Sequence, residues 1–288
     1  MPQTPRPSNL QAVRGYLLLP HAVPVIVVMT ATAAFALAAA GGWPGIGPLA
    51  RLLGAMLGGQ VAVGAVNELV DVELDRAGKS HKPIPSGLVS ARGAKTVVVI
   101  GLVAMAILSA TFGVASLALC ALGTGCGIAY SFWFKRTIWS WVPYLIALPL
   151  LPIWVWVALD EVDPALFAVY PLGAGAVVAV QLAQSLPDVA GDRASGVRTL
   201  AVALGERNAR LACWGAMAVT AAGAALLAPW LTDRPVIAVA AAGAALALVG
   251  IDILLWRRDP RLGIQAAFPC VAVATVILGL ACVAMRAV

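Results

Sequence analysis

The sequence predicts an all-α integral membrane protein with nine transmembrane helices. Its composition is 61% hydrophobic and only 11% charged, whereas a soluble domain has about 25% charged residues. A water-soluble fold has too little interior to bury this much apolar surface. The apolar residues also fall into runs of the ~20 residues that a membrane-spanning helix requires.

Nine such runs follow one another along the chain, bounded by charged residues, proline or glycine. The predicted helices lie near 17–40, 47–70, 94–113, 115–134, 138–159, 164–187, 208–231, 235–256 and 263–286. We treat 1–288 as a single transmembrane domain with a flexible N-terminal tail over 1–11. That tail lacks the basic-then-apolar order of a cleavable signal peptide, so the first helix is expected to be retained.

The basic residues indicate the orientation, because Lys and Arg concentrate in cytoplasmic loops. With nine helices and a cytoplasmic N-terminus, sixteen of the nineteen Lys and Arg residues fall on one side. The other side keeps only Arg51, Arg234 and Arg286. This distribution supports the helix count and predicts a multi-pass protein of the plasma membrane whose N-terminus is cytoplasmic.

Acidic residues are concentrated in the stretch NELVDVELD, at the end of the second predicted helix. It holds four of the thirteen acids of the chain. Asn67, Asp71 and Asp75 are four residues apart, and such positions drift by only about 40° per step around a helix. These three side chains therefore share one face, while Glu68 and Glu73 are expected to point off it.

A second acidic stretch, QSLPDVAGD, ends the sixth predicted helix. Gln184, Asp188 and Asp192 repeat the order amide, acid, acid at the same spacing. Pro187 and Gly191 are expected to bend or end the helix. Both stretches fall on the predicted cytoplasmic side, at a depth where ionisable groups are costly and usually functional. The alternative is a solvated acidic patch at the membrane surface.

Carboxylates on two facing helix ends repel one another unless a cation neutralises them. Mg²⁺ fits this role, because it prefers oxygen ligands and often binds one or two carboxylates together with substrate phosphates. The neighbouring predicted loops, DRAGKSHKPIPSG, YSFWFKR and DRASGVRTL, supply lysines and arginines that can hold a phosphate. Together these residues predict a site for Mg²⁺ and a diphosphate.

The ordered set of motifs resembles the UbiA superfamily of intramembrane prenyltransferases. The set consists of NELVDVELD followed by KPIPSG, then YSFWFKR, then DVAGDRASGVRTLAVALGER. The resemblance runs from the second predicted helix through the sixth and, in helix count, to the end of the chain. It implies nine transmembrane helices around a central cavity with a cytoplasmic cap.

The resemblance also implies a reaction: Mg²⁺-dependent ionisation of an isoprenyl diphosphate and transfer of the allylic carbocation to an aromatic, quinone-precursor-like or other lipid-forming acceptor. By position it implies two Mg²⁺ ions bridging to the diphosphate and held by Asn67, Asp71, Asp75, Asp188 and Asp192. The implied diphosphate contacts are Lys82, Tyr130, Lys135, Arg136, Arg76 and Arg198. The implied catalytic residues are Asp71, Asp75, Asp188, Asp192 and Lys135.

Two positions depart from the family pattern. Glu68 stands where many members have Asp, and Leu19 precedes Pro20 where many members have Arg.

Aromatic faces can stabilise an allylic cation, and the aromatic candidates are Trp139, Trp141, Tyr144, Trp154 and Trp156. For each of these, packing or a place in the interfacial belt is the alternative.

Two other functions remain compatible with these residues. A UbiA-type terpene cyclase would ionise the same diphosphate and let the prenyl chain attack itself, so the acidic motifs do not separate it from a transferase. A transporter without chemistry is the other alternative. Charged residues of transporters tend to lie near the middle of the membrane at broken helices, whereas these acids lie at helix ends.

Overall fold

The computed structural model describes residues 8–78, 81–161, 169–231 and 234–284. The regular structure in these ranges is helical. The α-helices are α1 (Asn9–Leu18), α2 (Ala22–Ala39), α3 (Ile46–Gly78), α4 (Ala91–Ala110), α5 (Val114–Ala129), α6 (Val142–Ala158), α7 (Val169–Ser185), α8 (Val189–Ala194), α9 (Leu200–Leu204), α10 (Glu206–Leu231), α11 (Pro235–Arg258) and α12 (Pro260–Ala284). A π-helical turn, Tyr130–Phe134, extends α5, and a 3-10 turn, Leu186–Asp188, follows α7.

Each of the nine predicted runs overlaps one of these helices. Within the described ranges, seven helices are long and apolar enough to cross a membrane, namely α2, α3, α4, α5 with its π-helical turn, α10, α11 and α12. The other two, α6 and α7, have 17 residues each. Exposed apolar side chains such as Ile107 and Leu254 lie on the outer faces, as expected for helices surrounded by lipid. The chain is therefore a multi-pass integral membrane protein.

The long helices close into a ring. Around the ring, α2 packs on α3, α3 on α4 and α5, α5 on α6, α6 on α7, and α7 on α10 and α12. Helix α11 packs between α10 and α12, and α12 returns to α2. One buried cluster joins α7, α10, α11 and α12 around Leu182, Met217 and Val271. A second joins α2, α3, α5 and α6 around Leu52 and Trp154.

Two glycines allow α3 and α4 to approach closely. A Cβ atom on Gly58 would lie 2.7 Å from the carbonyl oxygen of Gly101, and a Cβ atom on Gly101 would lie 2.6 Å from that of Gly58. Larger side chains would force the backbones apart. The separation of α4 from α5 that the sequence predicts is confirmed, because Gly113 takes a positive φ of 97° between them.

The first predicted helix, over 17–40, corresponds to α2 but begins about five residues too early. His21, whose φ of 52° is left-handed, separates α2 from the shorter helix α1. Helix α1 begins at Asn9, inside the tail expected over 1–11, and Ser8 and Gln11 form a capping box at its start. Residues 1–7 of that tail lie outside the described ranges.

The segment 82–90 is folded as a compact connection after α3. The Ser86 N–H donates to the Lys82 carbonyl at 2.9 Å, and the Val89 N–H donates to the Pro83 carbonyl at 3.0 Å. Gly87 supplies a positive φ of 79°. Ile84 and Val89 are buried in a third cluster with Leu19, Ala65 and Ala94. This packing fixes the position of Lys82 beside α3.

Candidate active site

A cavity of about 1110 Å³ occupies the centre of the helical ring. One end is lined by charged and polar side chains from α3, from the segment 82–90, from the π-helical turn and from the segment after α7. Most of the remaining wall is apolar and comes from α2, α3, α5, α6, α7, α10 and α12. The cavity thus combines a charged end with an apolar interior.

The first acidic motif lies on α3 as its spacing predicts. Asn67, Asp71 and Asp75 all line the charged end of the cavity, and Asp71 and Asp75 are buried. Helix α3 has 33 residues and is about 50 Å long, longer than the ~30 Å hydrocarbon core of a bilayer. Its last turns, which carry the motif, can therefore lie at the edge of the membrane.

The π-helical turn brings Tyr130, Ser131, Lys135 and Arg136 to the same end of the cavity. The Lys135 N–H donates to the Tyr130 carbonyl at 2.8 Å, which is the wider i to i+5 turn that recurs at functional sites. Lys135 Nζ donates to Asn67 Oδ1 at 2.7 Å and makes a short ion pair with Asp71 Oδ2.

Arg136 completes the surroundings of Asp71. Its guanidinium lies 3.3 Å from Asp71 Oδ1, so both oxygens of this carboxylate are paired with cations. A charge as deeply buried as that of Asp71 requires such compensation.

Lys82 lies between two buried carboxylates. Its Nζ is 2.7 Å from Asp75 Oδ2 and 2.8 Å from Glu68 Oε1. Burial works to lower the pKa of Lys82, but its contacts with Asp75 and Glu68 outweigh burial and raise that pKa above the usual value. Lys82 is therefore charged at neutral pH.

Glu68 lies outside the cavity wall, as the helical spacing predicts. The sequence does not predict that it is buried: its side chain is only 1% exposed and is paired with Lys82. The segment 82–90 folds back over this side of α3, so the side chain of Glu68 is enclosed instead of facing solvent. Glu73, by contrast, is 79% exposed, as the helical spacing predicts.

His21 also lines the charged end. Its Nε2 lies 3.2 Å from Asn67 Nδ2 and 3.4 Å from Glu68 Oε1. Burial lowers the pKa of His21, and the nearby Glu68 carboxylate opposes this effect only in part. The imidazole is therefore mainly neutral at pH 7. No pattern in the sequence predicts this contact, because it depends on the left-handed turn between α1 and α2.

The second acidic motif reaches the same cavity from the segment after α7. Gln184, Asp188 and Asp192 line its charged end. The predicted break at Pro187 is present as the 3-10 turn, and the chain then continues past Gly191 in α8. The Tyr130 side chain lies within electrostatic range of both Asp71 and Asp192, so it sits between the two motifs.

The charges around this end favour a bound cation. Four aspartates, Asp71, Asp75, Asp188 and Asp192, line it together with three cations, Lys82, Lys135 and Arg136. Within the described ranges, no group of three or more His, Cys, Asp or Glu side chains is placed to hold a metal. The carboxylate oxygens of the two motifs are nevertheless ligands of the kind that Mg²⁺ prefers, and substrate phosphates typically supply further ligands to this ion.

Two of the residues expected to contact the diphosphate, Arg76 and Arg198, lie outside the cavity wall. Arg76 does not line the cavity, and its guanidinium pairs with the exposed Glu73 at 2.7 Å, one turn away on the outer side of α3. Arg198 is exposed and also outside the cavity wall, and its backbone N–H donates to the Arg136 carbonyl at 3.3 Å. Both residues lie near the site without facing it.

Of the five aromatic residues proposed to face a carbocation, one lines the cavity and four lie outside its wall. Tyr144 lines the cavity, packs edge-to-face on Tyr130 at 5.2 Å, and donates its hydroxyl hydrogen to Gln184 Oε1. Trp154 is buried, and its indole N–H donates to Ser116. The other tryptophans of this set, Trp139, Trp141 and Trp156, also lie outside the cavity wall. An aromatic face for a carbocation is therefore available from Tyr130 and Tyr144.

Comparisons with known proteins agree with this arrangement. A sequence model of the UbiA prenyltransferase family matches residues 27–285. Among curated proteins, the chain is similar to the digeranylgeranylglyceryl phosphate synthase of Natronomonas pharaonis. The two are 29% identical over 233 residues, which is 76% of this chain and 80% of that protein.

Solved structures show the same fold. A UbiA homolog from Aeropyrum pernix matches with a TM-score of 0.70 at 19% identity, over 90% of this chain and 96% of that one. A UbiA homolog from Archaeoglobus fulgidus, bound to DMAPP and Mg²⁺, matches with a TM-score of 0.70 at 17% identity, over 93% and 99%. The chain belongs to the UbiA prenyltransferase family and is a membrane-embedded transferase of prenyl groups.

Proposed function

We propose that this chain transfers an isoprenyl group from an isoprenyl diphosphate to a glyceryl phosphate lipid precursor in an Mg²⁺-dependent reaction. The observation that supports the proposal is the cavity, in which two acidic motifs and three cations surround one end of an apolar space. The name of the Natronomonas relative gives the acceptor class, and the Archaeoglobus homolog was solved with DMAPP and Mg²⁺.

The charged residues would bind the diphosphate and its Mg²⁺ and assist the departure of the diphosphate. Asn67, Asp71 and Asp75, with Asp188 and Asp192, would hold the Mg²⁺ that accompanies the diphosphate. Bound Mg²⁺ supplies positive charge that makes diphosphate a better leaving group. Lys135, Arg136 and Lys82 would compensate the remaining negative charge, and the Tyr130 hydroxyl can donate a further hydrogen bond.

The transfer itself conserves charge and electrons. The bond between C1 of the prenyl chain and the diphosphate oxygen breaks, and its electron pair leaves with the diphosphate. The acceptor oxygen forms a new bond to C1 and releases its proton. The apolar wall would keep water from the allylic cation, and the ring faces of Tyr130 and Tyr144 would stabilise it.

The position before Pro20 offers no cation to an anionic acceptor, whether an aromatic carboxylate or a glyceryl phosphate, so the acceptor class is taken from the Natronomonas relative. Leu19 occupies the place where many family members have arginine, and it is 0% exposed in the cluster beside the segment 82–90. A buried leucine offers no charge to either anion. Transfer to an aromatic acceptor and cyclisation of the prenyl chain are the outcomes against which the proposal is tested.

The test uses purified protein in lipid nanodiscs with Mg²⁺ and geranylgeranyl diphosphate. Parallel reactions receive geranylgeranylglyceryl phosphate, 4-hydroxybenzoate or no acceptor, and products are identified by mass spectrometry. We expect a doubly prenylated glyceryl phosphate, complete loss of turnover with excess chelator, and recovery on adding Mg²⁺. A prenylated aromatic product, or cyclic hydrocarbon without acceptor, would contradict the acceptor proposal. Turnover that persists in chelator would contradict the metal proposal.

We further propose that all nine long helices span the plasma membrane as one domain, with a cytoplasmic N-terminus and the charged end of the cavity opening to the cytoplasm. The distribution of basic residues supports this orientation. At 17 residues, α6 and α7 are about 26 Å long, slightly less than the ~30 Å hydrocarbon core. An accessibility tag inserted after Asp160 should be labelled from outside intact cells. Labelling only after permeabilisation would contradict the proposed orientation or the crossing of α6.

A further inference from the structure

We infer that Phe35 forms the closed end of the cavity and limits the length of the prenyl chain that this protein accepts. The inference rests on the proposed function in one respect, because it treats the apolar part of the cavity as the prenyl site. It adds a residue that determines specificity, at the opposite end from the charged groups.

The position of Phe35 follows from the residues that line each helix. On α2, the lining residues begin beside His21 and end at Phe35, a distance of about 21 Å along the helix axis. On α3 they run from Asp75 to Gln60, which is about 22 Å. On α12 they end at Gly279. Phe35 and Gly279 are thus the last lining residues of two adjacent helices.

The Phe35 ring is held firmly at this point. It is 5% exposed, and its centroid lies 6.4 Å from that of Trp156 on α6 in an edge-to-face arrangement. A Cβ atom on Gly279 would lie only 3.2 Å from the tip of the Phe35 ring, so the backbone of α12 lies directly against that ring. Packing between α6 and α12 leaves the ring little room to move aside.

A closed end at Phe35 would limit the length of the prenyl chain that the cavity can hold. The wall between the charged end and Phe35 includes the apolar residues Val28, Ala31 and Val276. Each further isoprene unit that enters gains affinity by burying apolar surface. Once the chain reaches Phe35, another unit would have to displace a packed aromatic ring, and overpacking of this kind is unfavourable.

Two opposite substitutions follow from this geometry. Phe35→Ala removes the ring and should extend the cavity. Ala31→Phe should shorten it, because Ala31 lines the same face of α2 one turn nearer the charged end, about 6 Å away along the axis. Phe112→Ala is the matched control. Phe112 lies outside the cavity wall, beneath the guanidinium of Arg51 at 4.6 Å.

The experiment measures the affinity of the full-length protein in nanodiscs, with Mg²⁺, for all-trans isoprenyl diphosphates of two to six isoprene units. The wild-type affinity should rise with length to a maximum and then fall. Phe35→Ala should move the maximum to a longer chain and strengthen binding of the next longer diphosphate at least about tenfold. Ala31→Phe should move the maximum to a shorter chain, and Phe112→Ala should leave it unchanged.

A length profile that is the same in the wild type, Phe35→Ala and Ala31→Phe would overturn the inference, and Ala31→Phe alone decides it if Phe35→Ala does not fold. Turnover is measured on the same samples. If the wild type transfers no prenyl group to any acceptor while the variants still shift the length dependence of binding, the proposed function is wrong and the role of Phe35 is supported. If transfer occurs but the variants keep the wild-type length profile, the role of Phe35 is wrong and the proposed function is supported.

Discussion

Replacing Asp71 with asparagine should lower kcat/KM for prenyl transfer by about 10³-fold. Asp71 is buried at the charged end of the cavity, and each of its oxygens lies beside a cation, Lys135 or Arg136. Losing a single group that stabilises developing charge in a transition state typically costs about 10²–10³-fold. Here the substitution would also remove a proposed Mg²⁺ ligand and leave two cations partly unpaired, so the upper part of that range is expected. Steady-state kinetics at saturating Mg²⁺ measures the effect.

Glu73→Gln is the matched control for this experiment. Glu73 belongs to the same motif and lies only two residues away, but it is exposed and pairs with Arg76 outside the cavity wall. The variant should keep kcat/KM within about twofold of the wild type, since an exposed ion pair contributes about 1 kcal/mol or less. Equal losses in Asp71→Asn and Glu73→Gln, or near-normal turnover in a folded Asp71→Asn protein, would contradict the site assignment.

The parts of the site that the sequence predicts well lie on regular helix. Asn67, Asp71 and Asp75 belong to one uninterrupted helix, so their spacing alone places them on one face. The second motif is broken by Pro187, yet Asp188 and Asp192 still line the same cavity. The first motif therefore depends mainly on its neighbours in sequence, whereas the position of the second also depends on the packing of α7 in the ring.

The parts that the sequence does not predict depend on contacts between distant segments. Glu68 is enclosed because the segment 82–90 folds back and places Lys82 against it. His21 reaches Asn67 because the chain turns through a left-handed residue between α1 and α2. Hydropathy cannot show that turn, since apolar residues continue on both sides of it. Arg76 is the opposite case, because a contact within its own helix decides its position. Its ion pair with Glu73 holds it on the outer face of α3.

The transporter alternative illustrates what the family match adds. The acids at helix ends already disfavoured it, and membership of the UbiA prenyltransferase family excludes a protein without chemistry as the interpretation of this site. The family match also favours a transferase over a cyclase, a choice that the charged residues alone do not make. Both reactions begin with the same ionised diphosphate, so the charged residues serve either one. An acceptor would meet the prenyl cation beyond those residues, where tyrosine faces and apolar side chains form the wall.

Replacing Lys135 with glutamine should have opposite effects on the two ligands of the site. Lys135 Nζ contacts both Asn67 and Asp71, so it is close enough to the acidic motif to reach a diphosphate bound there. Hydrogen bonds to charged groups contribute about 1.5–3 kcal/mol, so diphosphate affinity in the variant should fall roughly 10- to 150-fold. Without substrate, the same variant leaves Asp71 with less positive charge beside it, and its affinity for Mg²⁺ should therefore rise.

Calorimetric titration of each ligand separately tests both signs. Lys95→Gln on α4 removes the same charge from an exposed position outside the cavity wall, and neither affinity should change by more than about twofold at moderate salt. A purely structural role for Lys135 predicts that both affinities fall together, because a distorted site would bind both ligands less tightly. A weaker diphosphate affinity with a stronger Mg²⁺ affinity would instead show that Lys135 and the metal compete for Asp71 and that Lys135 is a direct contact of the diphosphate.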